Sequence, residues 1–306
     1  MQKILLGKRE PAPVLRTASL NYRDLIIVNG QYPWPLKDSV VPLGDGACVV
    51  QAVDAKLTRF QVGDRATPIF HQGHLAGAPD AKSINTGLGS GLGETLYHYG
   101  GFDEERLVKI PENLSFTEGY STMLAPGDIV LIQGTGRVNL FALQFAKASG
   151  AKVVATTSKK KADFLKQLGA DEVINYKECC EWGEVVKGLT PNNGVMHIVE
   201  VVGPATIKKS LKAIKIDGVI SMVGFVVGSP APDQPSLIDT LLHVCSVRGI
   251  GVGSRLQFEE MNRVIEANNI HLVVDKHIFK FGEICEACQY LSDQKHVGKV
   301  FIEIQV

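Results

Sequence analysis

The strongest chemical signal in the chain is the run Gly134, Thr135, Gly136, Arg137, Val138 and Asn139, set within IVLIQGTGRVNLFALQFAKASGAKVVATTS. A short apolar stretch, a Gly-rich turn, a helical pattern and a second apolar stretch follow one another there. Such a turn aims backbone N–H groups and the positive end of a helix at an anion, which makes it a candidate pyrophosphate cradle. Gly134 and Gly136 fill the first two places of a G-x-G-x-x-G pattern. Asn139 stands at the third, the place that governs how closely helix and strand pack. Arg137 brings a bulky cation into the turn, able either to pair with a pyrophosphate or to fill its space. An ordinary βαβ unit that binds nothing is the plain alternative.

The end of the second apolar stretch bears on which nucleotide would bind. An Asp or Glu about 20 residues after the turn would hold a ribose 2′-OH. The chain has Thr157, Ser158, Lys159, Lys160 and Lys161 there, and hydroxyls and ammonium groups suit a 2′-phosphate. The expected cofactor is NADP(H), against the alternative of a solvated lysine run opening a helix.

These residues need a frame. Val- and Ile-rich stretches at 129–133, 152–157, 172–176, 197–201, 219–224 and 246–251 alternate with helical segments. That alternation predicts an α/β fold with a doubly wound parallel sheet. In the first helix, Val138, Phe141, Ala142, Phe145 and Ala146 make one apolar stripe, and Gly150 follows as a C-cap. Residues 1–124 are rich in turns (YPWP, PLGDG, VGD, the glycines between Gly87 and Gly93) and predict a β-rich domain. The tail KVFIEIQV alternates like a strand able to return to that domain.

The 306 residues carry 32 Lys plus Arg against 32 Asp plus Glu, which leaves no basic footprint for nucleic acid or anionic lipid. An apolar fraction of 45% with 21% charged residues lies outside the disordered regime. No apolar run approaches the length of a membrane span, and the six Cys do not form the dense pattern of a small secreted domain. The expectation is a cytoplasmic protein acting on a small molecule.

SLNYRDLIIVNGQYPWPLKD, PLGDGACVVQAVDAKLTRFQVGDRA, FHQGHLAG, LKQLGADEVINYKE, DGVISMVGF and VRGIGVGSRLQFEEMNRVIEAN, together with the Gly turn, resemble medium-chain dehydrogenases/reductases. The likeness is to the zinc-type alcohol dehydrogenase-like and quinone oxidoreductase-like members. It implies a GroES-like catalytic domain at 1–124, abbreviated at its start. A Rossmann NADP-binding domain at 125–265 and a return to the catalytic domain at 266–306 would follow, with a nicotinamide cleft between the domains. It also implies a homodimer through the Rossmann edge strand Val247 to Gly253. Zinc-dependent relatives carry a Cys where this chain has Asn21 and a His-Glu pair where it has Asp45-Gly46. The four-Cys structural lobe is absent, and Cys285-x-x-Cys288 and the loop pair His71 and His74 lack further ligands. No metal is expected.

By the same resemblance, Tyr32 faces the nicotinamide as proton donor or polariser, and Asn21 and Tyr22 line the cleft. Lys161 and Tyr176 match residues that hold the 2′-phosphate. Gly203, Gly224, Phe225, Val252, Gly253 and Ser254 match segments lining the adenosine and nicotinamide sites. One helix of the family pattern, before Pro126, is missing from this chain. The implied function is a zinc-independent, NADPH-dependent oxidoreductase transferring a hydride to a small carbonyl, quinone or activated alkene. The alternative is a catalytically impaired or non-redox member that serves as a nucleotide-binding or regulatory protein, or uses its cleft for redox-neutral secondary-metabolite chemistry.

Overall fold

The computed structural model describes residues 4–6, 15–41, 43–53, 58–92, 100–112, 126–190, 194–225, 234–271 and 273–304. The chain forms two compact units, one of residues 1–120 with 252–306 and one of residues 121–251. The return to the first unit therefore comes at Val252, earlier than the expected 266.

The first unit contains β1 (Ile4–Leu6), β2 (Leu15–Leu20), α1 (Tyr22–Val28), β3 (Asp45–Val49), β4 (Arg65–Pro68), α2 (Ala81–Ile84), β5 (Gly100–Phe102) and β6 (Leu107–Lys109). The second contains β7 (Ile129–Gln133), α3 (Arg137–Ala148), β8 (Lys152–Thr157), α4 (Ala162–Gln167), β9 (Glu172–Asn175), α5 (Trp182–Gly188), β10 (Val195–Glu200), α6 (Ile207–Ala213), β11 (Ile214–Met222), α7 (Leu237–Leu242) and β12 (Ser246–Gly249). The chain then re-enters the first unit with α8 (Arg255–Ala267), β13 (Val274–Lys280), α9 (Ile284–Ser292) and β14 (Lys299–Glu303).

In the second unit the strands are all parallel, in the order β12-β11-β10-β7-β8-β9. The chain starts in the middle and winds outward to both edges, the doubly wound arrangement. Its core gathers Leu131, Val154, Ile198, Ile220 and the fully enclosed Trp182. Strand β11 starts at Ile214, before the expected 219: Ile214 already pairs with Val195 of β10, and Asp217, with a left-handed φ of 64°, lies in the irregularity before the pairing resumes at Val219. The buried face of α3 keeps Phe141, Phe145 and Ala146 of the expected stripe and is wider than it on one side. Leu140, Phe141, Leu143, Phe145 and Ala146 face inward, whereas Val138 is 37% exposed. Gly150 follows the helix with φ 76°, the left-handed residue that ends it.

In the first unit a six-stranded sheet runs β13-β14-β2-β3-β4-β6. Its C-terminal strand β14 pairs antiparallel with β2, so the tail does return to this unit. Its core includes Leu20, Leu25, Val50, Leu107, Val300 and Ile302. The segment 113–125, where a helix of the family pattern was expected to be missing, lies outside the described residues. No helix among the described residues is long and apolar enough to cross a membrane.

Candidate functional site

The Gly turn leaves the C-terminal end of β7, the central strand of its sheet. Gly134 has φ 92°, which an L side chain adopts only under strain, and its N–H donates to the carbonyl of Thr156 at 2.6 Å. A Cβ on either Gly134 or Gly136 would meet nothing within 4 Å, so open space lies over the turn. Gly136 is the N-cap of α3, whose first turn leaves N–H groups without intrahelical partners. Arg137 and Val138 open that helix and are partly exposed.

Asn139 replaces the third glycine with a tether. Its Nδ2 donates to the carbonyl of Gln133 at 2.5 Å and its Oδ1 accepts from the Gln133 N–H at 3.2 Å. The side chain is buried and joins the first turn of α3 to the last residue of β7.

Gln133 extends the connection. Its Nε2 donates to Glu200 Oε2 at 2.8 Å and to Ser210 Oγ at 3.1 Å. Glu200 ends β10 and is fully enclosed, at 0% exposure. Oε1 accepts from the N–H groups of Val202 and Gly203 at 3.0 and 2.9 Å and from Thr206 Oγ1 at 2.7 Å. Oε2 also accepts from Ser210 Oγ at 2.6 Å. Five donors thus meet one buried carboxylate, which ties the turn after β10 to the turn after β7. In open α/β sheets, ligands bind where these two neighbouring strands send their connections to opposite faces.

The other expected nucleotide residues fall at the same end of the sheet. Thr157 ends β8 beside Asn175 of β9, and the Tyr176 N–H donates to the Thr157 carbonyl at 3.1 Å. Ser158 follows directly, its carbonyl accepting from the Lys161 N–H at 3.0 Å. The structure therefore gathers Thr157, Ser158, Lys161 and a 45%-exposed Tyr176 at the ends of two adjacent strands. Gly203 lies against Gly224 and Phe225, after β10 and β11.

Val252, Gly253 and Ser254 open the return segment. They belong to the first unit, where Ser254 caps α8: its Oγ accepts from the Gln257 N–H, and its own N–H donates to Gln257 Oε1. This capping box occupies the buried Ser254.

The first unit holds its chemistry at the start of α1. Asn21 is the N-cap residue, but its carboxamide turns away from the helix. Nδ2 donates to Asp45 Oδ2 at 2.9 Å, and Oδ1 accepts from Lys299 Nζ at 2.7 Å. Lys299 also donates to Asp45 Oδ2 at 2.7 Å, closing a ring of three residues from α1, β3 and β14. The ammonium is buried, with only 4% of its side chain exposed. Asp24 takes over the capping role by accepting from the N–H of Asn21 at 2.7 Å and that of Leu43 at 3.0 Å. Burial pushes the Asp24 carboxyl above the usual carboxylate range, with these two hydrogen bonds acting against it.

Two residues further along, Arg23 reaches Tyr32. Arg23 Nε donates to Tyr32 Oη at 3.1 Å and Nη2 to the Gly89 carbonyl at 2.9 Å. The guanidinium carbon lies over both aromatic rings, 5.0 Å from the Tyr32 centre and 4.9 Å from the Phe70 centre. Phe70 in turn lies where a side chain on Gly44 would be, 2.6 Å from a Cβ built there. Tyr22 is 41% exposed. Burial, with the charges of His74 and Arg23, pulls the His71 imidazole down to about 4.

Among the described residues no group of three or more His, Cys, Asp or Glu is placed to hold a metal ion. Asn21 and Asp45 do not fit a zinc ion, because the Lys299 ammonium is hydrogen-bonded to the very oxygens that would coordinate it. The nucleotide residues do fit a dinucleotide: an open Gly turn, a helix N-terminus and the residues Thr157, Ser158, Lys161 and Tyr176 lie at the C-terminal ends of β7, β8 and β9. Sequence reasoning did not single out Arg23, Lys299, Gln133 or Glu200. Of these, Glu200 left a trace, as the one charge inside the apolar run HIVEVVG.

Comparison with known proteins agrees with this architecture. The alcohol dehydrogenase GroES-like domain matches residues 14–113, and the zinc-binding dehydrogenase domain matches residues 138–267. The zinc-type alcohol dehydrogenase-like protein C1773.06c of Schizosaccharomyces pombe is 39% identical over 310 residues, covering 95% of this chain and 89% of that protein. That comparison extends over more positions than the 306 residues present, so the relative carries internal residues that this chain lacks. The acryloyl-coenzyme A reductase of Sulfurisphaera tokodaii is 27% identical, covering 97% of this chain and 93% of that one. A crystal structure of a putative alcohol dehydrogenase from Sinorhizobium meliloti superposes with a TM-score of 0.84 at 35% identity, covering 97% and 93% of the two chains. With its doubly wound nucleotide unit, its GroES-like unit and these relatives, the chain belongs to the medium-chain dehydrogenase/reductase superfamily and is an oxidoreductase of that family.

Proposed function

We propose that this oxidoreductase is NADPH-dependent and zinc-independent and reduces a small carbonyl, quinone or activated alkene. The observation that carries the reading is the convergence of Thr157, Ser158, Lys161 and Tyr176 at the ends of β8 and β9. Hydroxyl and ammonium groups stand where an acid would hold an unphosphorylated ribose.

When bound, NADPH supplies the hydride. The chain's own residues bind and orient. The first turn of α3 and the open Gly134–Gly136 turn hold the pyrophosphate, and Lys161 with Ser158 holds the 2′-phosphate. In the first unit, Asn21 and Tyr32 offer hydrogen bonds to the acceptor and polarise it in place of a Lewis acid. The fixed cation beside Asn21 is the Lys299 ammonium, which supports the zinc-independent reading. The reductase named above for acryloyl-coenzyme A supports an activated alkene as one acceptor class.

A homodimer belongs to the same proposal. β12 is an edge strand with all four residues exposed, and α7 just before it exposes Leu237, Ile238, Leu241 and Leu242. Antiparallel pairing of two β12 edges would satisfy both rows of backbone groups and cover these side chains. The strand ends at Gly249, short of the Gly253 expected from the sequence. We place the protein in the cytoplasm.

The internal shortening relative to the S. pombe protein favours one second reading, a member that binds the nucleotide without turnover. Titration with NADPH and NADH, followed by NADPH oxidation with a quinone or an enone, separates the two. Lys161→Ala should weaken NADPH binding by roughly 10- to 100-fold, the worth of a hydrogen bond to a charged group, and leave NADH binding unchanged. Binding of neither nucleotide refutes both readings.

A further inference from the structure

Tyr32 is assigned above as a donor to the acceptor, and the structure supplies what lies behind it. Arg23 Nε–H points at the phenolic oxygen at 3.1 Å. A guanidinium has donors and no acceptor, so this contact occupies a lone pair of Tyr32 and cannot take its proton. The one hydroxyl proton must be given elsewhere.

Arg23 is not a mobile surface arginine. Its side chain is 18% exposed, it is anchored to the Gly89 carbonyl at 2.9 Å, and its Nη1 lies 3.7 Å from the buried Asp24 carboxylate. Its guanidinium carbon lies over both the Tyr32 and the Phe70 ring, 5.0 and 4.9 Å from their centres. Phe70 is itself seated against Gly44 and Gly87, where a Cβ would come within 2.6 and 3.2 Å of its ring. Three contacts of different kinds therefore fix the direction of one N–H.

We infer that Arg23 is a positioning residue that makes Tyr32 an obligate hydrogen-bond donor, so that the enzyme takes acceptors whose reduction builds negative charge on an oxygen. The inference rests on the reading of Tyr32 given above. When the carbonyl or enolate oxygen takes the Tyr32 proton, the O–H electron pair stays on the phenolic oxygen. The resulting phenolate faces the Arg23 guanidinium until water returns a proton to it. Arg23 thus selects the direction of the proton and stabilises the charge left behind.

A double-mutant cycle on the full chain tests this, with NADPH and an enone as substrates. Arg23→Met should lower kcat by about 10- to 100-fold, as for the loss of a charge-assisted hydrogen bond, with acceptor KM and NADPH affinity changed by less than about threefold. Tyr32→Phe should lower kcat at least as far. The double variant should match Tyr32→Phe within about twofold, because Arg23 acts only through the missing hydroxyl. A merely structural role would instead multiply the two losses, and that result overturns the inference while leaving Tyr32 as a donor. A fully active Tyr32→Phe enzyme overturns the reading of Tyr32 and this inference with it. Should Arg23→Met fail to fold, Arg23→Lys takes its place in the cycle. It keeps the cation and a donor, and equal losses of kcat with and without the Tyr32 hydroxyl would overturn the inference.

Discussion

Restoring the glycine fingerprint should damage this protein. Asn139→Gly completes G-x-G-x-x-G, yet it removes both hydrogen bonds to the Gln133 main chain, at 2.5 and 3.2 Å, in a position that is 2% exposed. Each lost bond leaves a buried main-chain group without its partner, at roughly 1–2 kcal/mol apiece. Glycine in the first turns of a helix adds about 0.5 kcal/mol of backbone entropy. The expected destabilisation is about 3–4 kcal/mol, or about 6–15 °C in the midpoint of a unit of this size. Fluorescence reports it directly, because Trp182 is enclosed in the core of residues 121–251 and the other tryptophan, Trp34, is 55% exposed in the first unit. Thermal unfolding followed through Trp182, in a Trp34→Phe background, should show the fall. A midpoint within 2 °C of the parent would mean that the tether carries no net stability and that the third position is governed by space alone.

Two further outcomes concern ionisable groups held away from water. His71 is pulled down to about 4 from 6.5 by burial and by the charges of His74 and Arg23, so the unfolded chain binds its proton first as the pH falls. Stability from this residue is therefore fully present above pH 6.5 and is lost progressively toward pH 4, and urea midpoints at pH 7 and pH 5 should differ less in His71→Gln than in the parent. Glu200→Gln replaces one accepting oxygen of a carboxylate with an NH₂ group facing donors. It should cost about 2–4 kcal/mol by urea titration, and an unchanged midpoint would show that the five hydrogen bonds are not cooperative.

The nucleotide unit was readable because parallel strands covered on both faces are continuous Val- and Ile-rich runs. β7 and β8 fall where the sequence placed them. β11 was harder, since Asp217 and Gly218 read as a turn although they lie within a bulged strand. The GroES-like unit was legible mainly through its turns, because its short strands carry few consecutive apolar residues. At the site, glycines and the lysine run announced themselves by type. Lys299, Arg23 and Glu200 did not, because a charged residue is read as solvated unless its partners are known. Those partners lie 254 to 278 residues away for Lys299, and 9 and 66 residues away for Arg23. Glu200 draws its two hydroxyl partners from the next ten residues, but its amide partner Gln133 comes from 67 residues back. Only the folded sheets bring such groups together.

The ring of Asn21, Asp45 and Lys299 also constrains what this lineage can become. A cysteine arising at position 21, the first step toward the ligand set of the zinc-dependent relatives, would place a thiol beside a buried ammonium that now sits 2.7 Å from the Asn21 oxygen. An adjacent cation lowers a thiol pKa and makes the thiolate reactive. The intermediate would therefore be an oxidation-prone nucleophile before it was a metal ligand. With Lys299 left in place, such a thiol would meet the ammonium first, so the amide at position 21 also keeps this buried corner free of a reactive group.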